Sequence, residues 1–85
     1  MLSHEQAREL VVSQLAFDNR AHNPTELIEG EFERDWGWLF LYPCWVEGKQ
    51  AGWIVNRHTK EMKNVPEFSS PEEAMADYER GLENA

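Results

Sequence analysis

The sequence predicts an α+β domain: a four-stranded antiparallel sheet with an N-terminal and a C-terminal helix, in the order α-β-β-β-β-α. Two observations lead to this fold. A capped amphipathic segment lies near each end of the chain, and the region between them alternates apolar runs with turn signals. At 85 residues the chain has room for a single domain, residues 1–85, with one sheet and one helical layer. We therefore expect both helices to pack on one face of the sheet.

Each predicted helix begins with a capping pattern. Ser3 and Gln6 have the spacing of a capping box, and apolar residues at helical intervals follow, which predicts a helix over 4–18. Ser70 and Glu73 form a second such pair, with Pro71 at the first helical position. The apolar stripe after them predicts a helix over 71–80.

Four strands are predicted between the helices. They cover 25–34, 36–42, 52–56 and 61–65, and each is followed by a turn or by a residue that breaks strands. Pro43 is expected to end the second strand and Pro66 the fourth, because proline cannot donate a hydrogen bond to a sheet.

The second predicted strand is apolar on both of its faces. Its odd positions become aliphatic at Leu39 and Leu41, and its even positions are all aromatic: Trp36, Trp38, Phe40 and Tyr42. If the aliphatic side lies under the helices, the aromatic side faces outward, as large aromatic patches at protein interfaces do. The opposite assignment, and cover from sheet twist and the loop over 44–49, stay open. We expect the four aromatic residues and Trp53 to bind a partner, and a homodimer through the open sheet face is one solution.

The composition is acidic, with 16 Asp and Glu against 8 Lys and Arg and a formal charge of −8. Nucleic acids and anionic membranes attract basic surfaces, so this charge argues against both as partners. It suits a basic protein partner, because opposite charges speed association. Three carboxylates alternate along the first predicted strand and would form an acidic row for such a partner, or a solvated strand face: Glu29, Glu31 and Glu33.

The sequence predicts no catalytic, metal-binding or cofactor site. The histidines, His4, His22 and His58, lack the helical spacing of a metal site. Cys44 has no nucleophile motif around it and is expected to be an inert, partly buried thiol. The N-terminus lacks signal-peptide features, and the longest apolar run, 36–42, is too short to span a bilayer. We therefore expect a cytoplasmic protein without enzymatic activity.

Three stretches together resemble a known family. They are WLFLY at 38–42, GWIVNRHTKE at 52–61, and the capped segment from SPEE at 70–73 to YERG at 78–81. In this order they resemble the immunity protein 35 family of bacteria, the YrhB-like domain. One turn departs from the family pattern: where Asp-Lys-x-Thr-Gly-Glu is expected, the chain has Lys60 in place of the glycine.

The resemblance implies a cytoplasmic immunity protein of a polymorphic toxin system, which binds and neutralises a cognate secreted toxin. A chaperone-like relative implies the alternative, a small protein that holds apolar protein segments. The family offers no catalytic residues to transfer to this chain. The acidic composition and the aromatic strand are compatible with both roles.

Overall fold

The computed structural model describes residues 1–19, 28–43 and 47–83, with side chains only to residue 15 in the first range. This part of the chain has the predicted α+β fold: helix α1 (His4–Asn19), strands β1 (Gly30–Arg34), β2 (Gly37–Tyr42), β3 (Gln50–Asn56) and β4 (Met62–Phe68), and helix α2 (Pro71–Glu83). The strands form one antiparallel sheet in the order β1-β2-β3-β4. The start of the predicted first strand, His22 and Cys44 lie outside the described residues.

The two helices lie on opposite faces of the sheet, so the prediction that both pack on one face is wrong. Helix α1 packs on the face formed by Trp38, Phe40 and Val55. Helix α2 packs on the other face, which Leu39, Leu41 and Ile54 form. The physical reason is that both central strands are apolar on both faces, and each face loses contact with water only if it has a helix of its own.

Trp36 lies in the turn between β1 and β2. The prediction that the four aromatic residues share one face of the sheet is therefore wrong for Trp36. Strand β2 starts at Gly37, which pairs with Arg34 across the turn. The indole of Trp36 packs with the α2 cluster, and its Nε1 donates to Glu79 Oε1 at 3.0 Å. A residue outside the strand does not follow the strand's alternation, so Trp36 reaches the face opposite to Trp38.

Strand β4 continues to Phe68, beyond the predicted end before Pro66. Gly52 pairs with Val65 and Gln50 with Phe68, so β4 contains one more residue than β3 over this stretch, which is a β-bulge. β4 is an edge strand, where a missing N–H is tolerated. The extra residue also turns Phe68 toward α2, where its side chain is buried.

Asn56 organises the turn between β3 and β4. Its Oδ1 accepts hydrogen bonds from the backbone N–H groups of His58 and Thr59, at 2.8 and 3.0 Å. Its Nδ2 donates to the hydroxyl of Tyr78 on α2, at 3.1 Å. Lys60 closes the turn with a φ of 66°, in the left-handed region that favours glycine. The position where the resemblance expected glycine thus has a backbone conformation suited to glycine.

Candidate protein-binding surface

The aromatic residues predicted to bind a partner do not form an exposed face. Trp36, Trp38 and Phe40 are only 9%, 3% and 0% exposed. Tyr42 and Trp53 are partly buried at the margin of the α1 cluster. The expected exposure is therefore wrong for the first three residues, because each side of the sheet has its own helix. A partner-binding role for Tyr42 and Trp53 stays a prediction.

The predicted acidic row is largely engaged by basic side chains of the same chain. Glu31 pairs with Arg8 and with Nε2 of His4, the latter at 2.8 Å. Glu33 accepts from Nη2 of Arg57 at 2.8 Å. The row therefore does not present three unpaired carboxylates, and its expected contact with a basic partner stays a prediction. Glu29 is exposed just before β1.

Arg57 joins this row to the aromatic core. Its guanidinium lies over the indole of Trp38, with 4.5 Å between the guanidinium carbon and the ring centroid. The same Nη2 that contacts Glu33 also donates to the backbone carbonyl of Arg34 at 2.7 Å. Arg57 thereby connects the turn after β3 with the end of β1, and its role here is structural.

A groove of about 300 Å³ runs between β4 and α2. β4 is an edge strand of the described sheet, so the groove lies at the margin of the sheet. The apolar part of its lining comes from both elements and from β3 behind them: Ile54, Val65, Phe68, Ala74 and Tyr78. A groove that combines apolar and polar lining is a type of concave surface that ligands and partner side chains occupy.

The charged part of the lining is mainly acidic. Asp77 is paired with Arg80, whereas Glu67 and Glu73 have no ion-pair partner among the described residues. Among the described residues of the lining, Lys63 is the only basic one, and its Nζ lies 6.0 Å from the ring centroid of Tyr78. Within the described residues, the groove thus combines apolar surface, two acidic residues without an ion-pair partner and a cation near an aromatic ring.

The cap of α2 uses the backbone N–H of Glu73 and, in the part of the chain that the structure describes, leaves its carboxylate without a capping bond. The backbone N–H of Glu73 donates to Ser70 Oγ at 3.2 Å, which confirms the predicted N-cap. Within the described residues, the Glu73 carboxylate does not accept a hydrogen bond from the Ser70 N–H. In the cap of α1, by contrast, the Ser3 N–H donates to Gln6 Oε1 at 2.9 Å, which completes a capping box. Glu73 instead lines the groove. The sequence analysis did not identify this groove, although Glu73 and Asp77 lie four residues apart beside the apolar stripe of α2.

The described ranges, 1–19, 28–43 and 47–83, contain no group of three His, Cys, Asp or Glu side chains arranged to hold a metal ion. No helix in those ranges is long and apolar enough to cross a membrane.

Comparison with known proteins does not extend the resemblance stated above. No protein-family model matches this chain, and neither a curated protein nor a solved structure matches it.

Proposed function

We propose that this chain is a non-enzymatic protein-binding module, a cytoplasmic immunity protein that binds a basic toxin domain and neutralises it. The observation that carries the proposal is the groove between β4 and α2. Its lining includes apolar side chains as well as Glu67 and Glu73, which have no ion-pair partner in the part of the chain that the structure describes. The toxin as partner follows from the family resemblance of the three sequence stretches.

The groove supports two separate contributions to binding. Apolar side chains buried in a groove supply affinity, since they leave water on binding. Unpaired carboxylates attract a basic partner and orient the encounter, an effect that salt screens. The formal charge of −8 extends this attraction beyond the groove itself.

The chaperone-like alternative would require a continuous apolar surface for loosely structured clients. Large apolar side chains exposed in the described part of the chain are instead distributed over different elements: Met1, Leu10, Phe32 and Leu82. Single exposed apolar residues are normal on soluble proteins. Both sheet faces carry a helix, so a homodimer through an open sheet face is not part of the proposal.

The test uses the C-terminal domain of a secreted protein encoded beside this chain's gene. We expect a one-to-one complex whose association rate, measured by stopped-flow fluorescence, falls about tenfold or more between low and high salt. Glu73→Gln should weaken the complex, whereas Glu9→Gln, the same charge change at an exposed position on α1, should have a smaller effect.

Two results would contradict different parts of the proposal. If no neighbouring toxin domain forms a complex, the immunity function is wrong. If a complex forms and Glu73→Gln and Glu9→Gln weaken it equally, the function stands and the groove is not the binding surface.

A further inference from the structure

We infer that the groove between β4 and α2 receives one arginine side chain of the partner, and that Lys63 occupies this position in the free protein. The inference rests on the proposed function and specifies the chemistry that the groove recognises. It makes Lys63 an internal competitor, so that removing its charge should strengthen binding.

Lys63 supplies the first step of the argument, because it is a cation already lying in the groove. It pairs with Ile54 in the sheet, and residues paired across strands point to the same face, so its side chain lies on the α2 side. Its Nζ lies 6.0 Å from the ring centroid of Tyr78, within the range of a cation–π contact. Among the described residues it makes no ion pair, so no carboxylate holds its ammonium group within salt-bridge distance.

Two further contacts hold the ring of Tyr78 in place. Trp36 packs against it with 4.7 Å between ring centroids, and its hydroxyl accepts from Asn56 Nδ2. Only 6% of Tyr78 is exposed. A cation can therefore bind to this ring without the ordering cost that a mobile side chain would add.

Glu67 and Glu73 determine which cation fits better. Both residues line the same groove as Tyr78, and neither has an ion-pair partner in the described residues. A guanidinium can stack on an aromatic ring while its N–H groups bond to a carboxylate, whereas an ammonium is a compact point charge. The volume of about 300 Å³ suits an extended side chain rather than a folded element. Arginine is therefore the expected occupant.

The test measures binding of the peptide acetyl-Val-Arg-Val-amide by two-dimensional NMR titration. The neutral control peptide has citrulline, which has nearly the same shape as arginine, in place of arginine. The key variant is Lys63→Gln, and its matched control is Lys60→Gln, which removes the same charge from an exposed residue outside the groove. Thermal unfolding of both variants reports whether either change alters the fold.

We expect the arginine peptide to shift the amide resonances of β4 and α2 residues that line the groove. The dissociation constant should fall about threefold or more in Lys63→Gln relative to Lys60→Gln, the size of one exposed cation–π contact. Glu73→Gln should raise it, and the citrulline peptide should not shift these resonances.

The inference is overturned if Lys63→Gln binds the arginine peptide no more tightly than Lys60→Gln, if the citrulline peptide binds equally well, or if no peptide binds in the groove. These results leave the proposed function standing where a toxin complex still forms. Peptide binding with the expected effect of Lys63→Gln but without any toxin complex would instead support the groove chemistry and contradict the immunity function.

Discussion

Gly37 is the residue at which one added carbon would disturb the sheet most. Its φ is 152°, a conformation that side-chain-bearing residues rarely adopt, and a Cβ there would overlap the carbonyl oxygen of Val55. Because β2 and β3 pair at this point, the chain cannot relieve the overlap without separating the two central strands.

We predict that Gly37→Ala lowers the free energy of unfolding by about 2–4 kcal/mol, measured by urea denaturation. The control is Gly48→Ala. Gly48 also has a positive φ, 79°, but a Cβ there meets nothing within 4 Å. The control should cost about 1 kcal/mol, the backbone term alone. Equal losses in the two variants would mean that the overlap with Val55 is relieved at little cost.

At the scale of elements, the turn between β3 and β4 contains one residue that suits its backbone position, Asn56, and one that does not, Lys60. Asn56 suits its position, since its amide bonds to two backbone N–H groups of the turn and to Tyr78. Lys60 does not, since a left-handed conformation costs a residue with a Cβ about 1–2 kcal/mol. The turn therefore forms at the expense of strain at Lys60.

We predict that Lys60→Gly raises the free energy of unfolding by about 0.5–1 kcal/mol. Glycine removes the strain but adds about 0.4–1 kcal/mol of conformational entropy to the unfolded chain, so the net gain is smaller than the strain. Thermal and urea unfolding measure it. Lys60→Ala removes the same charge and retains the Cβ, so it should not stabilise. Stabilisation by alanine as well would assign the gain to the lost charge.

For the whole molecule, the decisive feature is that the sheet is covered on both sides. The α1 face buries Trp38 and Phe40, and the α2 face buries Leu39 and Ile54. The large aromatic residues of β2 therefore stabilise the fold of the chain itself. A change such as Trp38→Ala is expected to lower the free energy of unfolding, whether or not it affects binding.

We predict that the protein sediments as a monomer. In protein labelled with 5-fluorotryptophan, the indole of Trp38 should be protected from solvent and that of Trp53 should be accessible. The fluorine resonance of Trp38, which is 3% exposed, should not move between H₂O and D₂O, whereas that of the partly buried Trp53 should. Single Trp→Phe variants assign the four resonances expected from four tryptophans. A solvent shift at Trp38 would show that α1 does not cover its face.

Only part of the candidate site could be predicted from the sequence. Acidic character and a protein-binding role were inferred from composition and from the aromatic strand, but the groove depends on how far α2 lies from β4, which spacing along the chain does not specify. Glu31 and Glu33 looked unpaired because Arg8 and Arg57, their partners, are 23 and 24 residues away in sequence.

The sequence by itself determined the order of helices and strands, the antiparallel sheet, and the caps at Ser3 and Ser70, because period, turn residues and capping act between near neighbours. Only the tertiary structure decided that the helices take opposite faces, that Trp36 crosses to the α2 side, and that β4 continues through Pro66. Those outcomes depend on which buried surfaces meet, and burial is a property of contacts between distant parts of the chain.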